Sequence, residues 1–137
     1  MKAPIPLVLT LLVLAAPAAR SETRYFLMSD GNPDNNFVFA LHDPKQVQEA
    51  LDIIAGKRQP VPHVSGIIDT FSAPYNRPWG FHYEPSTIAF PEVSIEVCDA
   101  ETSYVQAHLA EVGGHFLPGY RWCPWSQRVV REVPGPQ

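Results

Sequence analysis

The feature that most constrains this chain of 137 residues is its pair of cysteines, Cys98 and Cys123. Cys123 lies in the aromatic stretch GYRWCPW, which looks like half of a thiol redox motif. Disulfide oxidoreductases need a second cysteine in a Cys-X-X-Cys arrangement, and this sequence has Tyr at 120 and Ser at 126 instead. The pair is therefore either one structural disulfide or two thiols, one of them a possible nucleophile with His82 or His115 as its base.

The N-terminus helps to decide between these alternatives, because it has the pattern of a secretory signal. Lys2 precedes an apolar run at 5–16, and small residues at 16–18 offer a cleavage site. The run is shorter than the roughly 20 residues that cross a bilayer, which argues against a stable membrane anchor. We therefore predict a cleaved signal at 1–21 and a secreted protein, extracellular or periplasmic. Cysteines in such compartments are usually paired, which favours a disulfide.

The charge of the remaining chain narrows the partners it can have. Without residues 1–21 there are eight Lys and Arg against 14 Asp and Glu, a net charge of about −6. The densest basic pair is Lys57-Arg58, so no basic cluster is available to meet phosphates, and we expect no nucleic acid partner. The length suits one domain, which we place at 22–133 with a flexible tail at 134–137.

Periodicity predicts two helices. The clearer one starts at the N-cap Asp43 with Pro44 in its first turn, and Gly56 suits its C-terminal end. Its apolar stripe consists of Val47, Ala50, Leu51 and Ile54. The second helix is predicted from about 99 to 112, with Asp99 as its N-cap and Gly113-Gly114 as its stop.

Strands are predicted where apolar and polar residues alternate. The predicted strands are 24–29, 37–41, 63–69, 79–84, 93–99 and 126–133. In the fifth of them, VSIEVCD, alternation puts Val93, Ile95 and Val97 on one face and Cys98 at the end. The order β-β-α-β-β-β-α-β predicts an α+β fold of two layers, in which helices cover one face of a mainly antiparallel sheet.

Polar residues of the middle strands form the first candidate site. If those strands are neighbours, His63, His82, Glu84 and Glu96 share one sheet face. Two histidines with carboxylates could bind zinc or exchange a proton, as in a small hydrolase or metal-dependent enzyme. Alternation equally predicts that they are the solvated face of a half-covered sheet. Because no catalytic motif is present, we assign no catalytic residue, metal or cofactor and favour a protein that is not an enzyme.

Aromatic loops form the second candidate site. Their rings suit a binding surface, and they equally suit caps over a small core. The aromatic residues concerned are Tyr75, Trp79, Tyr120, Trp122 and Trp125. The function that we favour is therefore a binding module for an unknown protein, peptide or glycan.

The turn DGNPDNN at 30–36 offers a third alternative, because its oxygen ligands resemble part of a calcium loop. The stretch lacks the glycine at the sixth position and the closing Glu of an EF-hand loop. The same residues are ordinary turn formers, so the turn alone does not predict calcium binding.

The stretches APYNRPWGFHYEP, EVCDA and FLPGYRWCPW carry a family resemblance. They resemble the N-terminal domain family of a slime-mould calmodulin-binding protein, which includes small secreted bacterial proteins. The resemblance extends from about Tyr25 to Val133 and implies a domain without an established activity. The family's name suggests calmodulin, but calmodulin targets are basic amphipathic helices. Both predicted helices carry more acidic than basic residues, which argues against calmodulin as a partner.

Overall fold

Eight strands and two helices make up the part of the fold that the computed structural model describes, which is residues 1–6, 8–16 and 22–137. The strands are β1 (Arg24–Ser29), β2 (Phe37–Leu41), β3 (Gly66–Asp69), β4 (His82–Tyr83), β5 (Val112–Gly113), β6 (Phe116–Pro118), β7 (Arg121–Trp122) and β8 (Arg128–Val133). The helices are α1 (Pro44–Ile54) and α2 (Thr102–Ala107). No helix among the described residues is long and apolar enough to cross a membrane. The predicted cleavage region at 17–21 lies outside the described residues.

Three small sheets take the place of one predicted sheet. The first has the order β2-β1-β8 and the second the order β4-β3-β7, and both are antiparallel. The third is the parallel pair β5-β6. The predicted α+β class and the mainly antiparallel pairing are confirmed. The strands β6 and β7 lie where the sequence predicted no strand, and β5 lies at the predicted end of the second helix; each is only two or three residues long.

Aromatic side chains join the first two sheets into one core. The ring of Phe37 on β2 lies 5.0 Å from those of Phe81 and Trp122 and 5.7 Å from that of Tyr83, measured between centroids. All four side chains are fully buried. Rings that meet edge to face contribute about 0.5–1.5 kcal/mol per pair beyond the area that they bury.

Helix α1 has the predicted ends but a slightly different buried face. The Asp43 carboxylate accepts the N–H of Lys45 at 2.9 Å, and Gly56 follows the helix with a φ of 74°. The buried residues of α1 are Val47, Ala50 and Ile53, whereas the predicted Ile54 is exposed. The Gln46 side chain donates to the carbonyl of Ile88 at 2.6 Å, which holds the helix turned toward that side.

Helix α2 is shorter than predicted and begins later. The side chain of Asp99 accepts the backbone N–H of Trp125 at 2.8 Å, so it does not cap the helix. The helix therefore starts at Thr102 and ends at Ala107, and a 3-10 turn at Leu109–Glu111 follows. The competing hydrogen bond comes from a residue distant in sequence, which a local capping rule does not consider.

The predicted strand VSIEVCD does not form. The preceding chain pairs with the residues before β3, through N–H groups of His63 and Ser65 that donate to the carbonyls of Pro91 and Ala89. Proline has no N–H with which to extend such a ladder, and the chain leaves the sheet after Pro91. It then forms a 3-10 turn at Glu96–Cys98. The apolar residues of the segment consequently face solvent.

Candidate functional site

The predicted disulfide is present. Cys98 and Cys123 are bonded, their Cα atoms lie 5.1 Å apart, and both residues are buried. The N–H of Cys123 also donates to the carbonyl of Cys98 at 2.8 Å. Because both cysteines of the chain are in this bond, the structure offers no thiol for the nucleophile alternative.

The candidate polar cluster is divided between two places. His82 lies opposite Asp69 in the β3–β4 pair, whereas His63 lies before β3, where its N–H donates to the carbonyl of Pro91. Glu84 stays near His82, where its carboxylate accepts a hydrogen bond from Ser86. Glu96 is exposed in the 3-10 turn next to the disulfide. Among the described residues, no three His, Cys, Asp or Glu side chains come together as a metal site.

His63 is half-buried and sits in a local environment that opposes its protonation. Burial lowers the pKa of His63, and the nearby positive charge of Arg128 lowers it further. A carbonyl at Trp125 and the charge of Asp99 act in the opposite direction and are weaker. The neutral imidazole is therefore favoured, which suits a packed residue beneath the Trp125 loop.

The buried His82 has one ring nitrogen hydrogen-bonded and the other facing a carboxylate. Its Nδ1 lies 2.8 Å from the carbonyl oxygen of Phe71, which only accepts, so Nδ1 is the donor. Its Nε2 faces the carboxylate of Asp69 at 3.4 Å. The ring of Phe71 covers the imidazole at a centroid distance of 4.9 Å. The carbonyl of Phe71 and the covering ring thus fix the orientation of His82.

Tyr75 packs beside this histidine. Its ring lies 6.3 Å from the imidazole of His82 and 5.2 Å from the ring of Tyr25. Burial, with smaller contributions from Tyr25, Glu84 and Asp69, raises the pKa of Tyr75 to about 12. The phenol therefore stays protonated at neutral pH and acts as a packing group.

The other aromatic residues of the second candidate site have different environments. Trp122 is fully buried, and its indole N–H donates to the carbonyl of Ala100 at 2.9 Å, so it belongs to the core and not to a binding surface. Trp79 is partly buried against the core. Tyr120 and Trp125 are both exposed. The five residues therefore do not form one continuous aromatic loop surface.

An exposed apolar ridge lies next to the disulfide. We define it by Val93, Ile95, Val97 and Trp125, whose exposed fractions are 82%, 63%, 53% and 40%. The indole N–H of Trp125 donates to the carbonyl of Ile95 at 3.3 Å, which places the ring against the same segment. Between the apolar residues, the hydroxyl of Ser94 is buried without a hydrogen-bond partner in the described part of the chain. In this segment the apolar side chains are exposed and the serine hydroxyl is buried, which is the reverse of the usual arrangement.

Acidic residues flank the segment of the apolar ridge in sequence. The sequence has no Lys or Arg between Arg77 and Arg121. The guanidinium of Arg128 does approach the loop, but it donates to the backbone carbonyls of Trp125 and Gln127. The acidic residues that flank the ridge segment in sequence are Glu92, Glu96, Asp99 and Glu101, and all four are exposed.

Comparison with protein families identifies the domain. The family profile described as the BP-74 N-terminal domain matches residues 22–136, which is nearly the whole of the folded part. The chain belongs to this N-terminal domain family. No curated protein and no solved structure gives a match. The resemblance that the sequence suggested is confirmed.

The stretch APYNRPWGFHYEP has a structural role in this member of the family. Asn76 is buried, its Oδ1 accepts the N–H of Val38 at 2.7 Å, and its Nδ2 donates to the carbonyl of Phe81 at 3.2 Å. The indole N–H of Trp79 donates to the carbonyl of Asn36 at 2.7 Å. Strand β2 has one edge that no other strand pairs with. These hydrogen bonds satisfy backbone groups along that edge and fix the loop against the first sheet.

Sequence reasoning missed the apolar ridge of this domain. Alternation places Val93, Ile95 and Val97 on one face, but it does not say whether that face is inside. Two signals in the sequence could have indicated the outside. Pro91 stands directly before the segment, and glutamates at 92 and 96 interrupt it, both of which are unfavourable in a central strand.

Proposed function

We propose that this domain is a secreted protein-binding module, and that the apolar ridge binds a partner segment whose apolar side chains are framed by Lys or Arg. The observation that carries the proposal is the exposure of three β-branched side chains on one short segment, with the exposed Trp125 of a second segment against it. Large exposed apolar patches on soluble proteins mark interaction sites. Tryptophan is also enriched among the residues that dominate binding energy.

The rigidity of the apolar ridge supports this function. The Cys98–Cys123 bond ties the end of the ridge segment to the loop that carries Trp125. Asp99 and Ile95 each accept a hydrogen bond from Trp125, through its backbone N–H and its indole N–H. A surface that is already held in place loses less conformational entropy on binding, which favours affinity.

The charge around the ridge selects the partner's chemistry. Exposed carboxylates favour a cationic rim on the partner, because complementary charges steer encounter and exclude partners of the same sign. A second copy of the chain would bring two acidic rims together. An anionic membrane would repel the same rim. The best-fitting occupant is therefore a basic protein segment with apolar side chains.

Secretion is the second part of the proposal. It is supported by the signal-like residues at 1–21 and by the disulfide, which persists in oxidising compartments. The molecular mass of the protein recovered from the medium or periplasm tests secretion, because it shows where the chain has been cleaved. We expect a first residue between positions 19 and 22. Recovery of the intact chain from the reducing cytoplasm alone would contradict secretion.

A titration followed by amide and indole NMR signals tests the binding function. The probe is a synthetic peptide of alternating valine and lysine, and matched peptides replace either lysine by glutamate or valine by serine. We expect shifts at 93–97 and at the indole of Trp125 with the valine–lysine peptide, and these shifts should weaken as salt increases. Equal binding of the valine–glutamate peptide would exclude the proposed charge selection.

Matched substitutions separate binding from folding. Ile95→Ser should weaken binding of the valine–lysine peptide by about ten-fold or more, because a buried isoleucine is worth about 1.5–3 kcal/mol. It should hardly change stability, since the side chain is already exposed. Val130→Ser, at an exposed position of β8, is the control and should bind normally. If the unaltered protein forms dimers or binds vesicles and Ile95→Ser abolishes this, the occupant is instead a second copy or a membrane.

A further inference from the structure

A groove distinct from the apolar ridge lies beside Trp79. It has a volume of 420 Å³ and is bounded on one side by the 3-10 turn Pro33–Asn35 and on the other by the segment 76–79. This volume is in the range of small-molecule sites, about 300–1,000 Å³. The lining residues that matter for recognition are Pro33, Asp34, Asn36, Arg77, Pro78 and Trp79.

Hydrogen bonds hold the two walls of this Trp79 groove together. The indole N–H of Trp79 donates to the carbonyl of Asn36 on the opposite wall at 2.7 Å. The backbone N–H of Trp79 donates to the carbonyl of Asn76 at 3.0 Å, and Asn76 in turn accepts from Val38. The groove is therefore formed before any ligand arrives, as small-molecule sites usually are.

Polar groups of both kinds remain available at the Trp79 groove. Within the described residues, neither the carboxylate of Asp34 nor the guanidinium of Arg77 makes a side-chain hydrogen bond or an ion pair, and both residues are exposed. Asn36 also lines the groove, but its Oδ1 is buried and does not reach the groove surface. One exposed carboxylate and one exposed guanidinium thus flank an indole.

We propose that the Trp79 groove binds a neutral saccharide. Hydroxyl groups donate to Asp34 and accept from Arg77, and the opposite charges of these two side chains leave no preference for a charged ligand. The indole and the two prolines offer an apolar wall for the C–H face of a sugar ring. A purely apolar ligand would remove the charged groups from water without replacing their hydrogen bonds.

The test is an NMR titration of the protein with cellobiose, maltose and N,N′-diacetylchitobiose, with glucuronate and glucosamine as charged counterparts. At millimolar concentration, at least one neutral saccharide should shift the indole signal of Trp79 and the amide of Asn36. Asp34→Asn and Arg77→Gln should each weaken that binding about ten-fold, because hydrogen bonds to charged groups are the stronger kind. Both side chains are exposed, so both variants should fold normally.

Two controls separate this site from the rest of the molecule. Arg131→Gln removes an exposed cation outside the groove, and Ile95→Ser alters the apolar ridge; both should bind the saccharide like the unaltered protein. No shift with any of the neutral saccharides would overturn the proposal. So would tighter binding of glucuronate or glucosamine, or unchanged binding by Asp34→Asn and Arg77→Gln.

Discussion

Asn76 is the single residue on which the attachment of the second sheet to the first depends most directly. Its carboxamide joins the N–H of Val38 to the carbonyl of Phe81 inside the protein. Asn76→Ala should destabilise the fold by roughly 2–4 kcal/mol, because each orphaned buried group costs about 1–3 kcal/mol. Urea unfolding measures the difference. Asn32→Ala removes an exposed cap of a 3-10 turn and should cost about 1 kcal/mol or less, so equal losses would contradict the assigned role.

Tyr75 is a second residue with a measurable effect, because its ionisation makes the stability of the fold depend on pH. Its pKa of about 12 in the folded state exceeds the ordinary value of 10.0, so the neutral phenol is favoured by folding. The resulting stability is fully present below pH 10 and is lost as the pH rises toward 12. Phenolate absorbance should show a tyrosine that titrates near pH 12 and disappears in Tyr75→Phe.

A complication at high pH is Tyr83, whose fully buried phenol also has a pKa well above its ordinary value. It remains in the Tyr75→Phe protein and therefore serves as an internal reference for late titration. Between pH 10 and 12, the Tyr75→Phe protein should lose less stability than the unaltered protein. A step near pH 12 that persists in Tyr75→Phe would show that another tyrosine is responsible.

At the scale of elements, the disulfide organises the segment that carries the apolar ridge. Closing a loop of about 26 residues stabilises the fold by about 3.5 kcal/mol in the chain-entropy estimate. The double variant Cys98→Ala/Cys123→Ala should lose roughly that amount in urea unfolding and should also bind the valine–lysine peptide more weakly. Thiol labelling of the native protein should find neither cysteine reactive. Full binding by the double variant would show that the ridge is held by other contacts.

The elements also show why only part of the structure follows from the sequence. Helix α1 and the strands β1 and β2 were predicted correctly because their signals are local: caps, a turn cluster and short periodic runs. The predicted strand at 93–99 and the predicted bounds of helix α2 were wrong because distant residues decide them. Asp99 binds Trp125, and no neighbouring strand takes up the chain after Pro91.

The candidate sites also divide into those that the sequence predicts and those that require the tertiary structure. Compartment and cysteine count predicted the disulfide without any knowledge of the fold. Burial, by contrast, separates Trp122 in the core from Trp125 on the surface, although the two residues are close in sequence. The Trp79 groove depends on Asn36, which is remote in sequence from the aromatic residue. Sites assembled from distant segments therefore require the tertiary structure.

At the scale of the whole molecule, the two ends of the domain meet. Strand β1 lies between β2 and β8, so the first strand is paired with the last. Arg24 and Glu132 form a two-pronged ion pair across this junction, with both distances at 2.7 Å. Beyond β8, the backbone of Gly135 approaches the ring of Tyr25 so closely that an added Cβ would lie 2.8 Å from it. The family match to residue 136 is consistent with this closure.

Two truncations test how far the domain extends. The chain 22–137 should melt at the same temperature as the full chain, because the described residues of 1–16 are exposed and form no helix or strand. Removing 134–137 should lower stability by about 1 kcal/mol or less, since it uncovers part of the ring of Tyr25. Calorimetry of both proteins measures the changes. A loss of stability in 22–137 would place part of the fold before Glu22, whereas an unchanged melting temperature without 134–137 would establish the flexible tail that the sequence predicts.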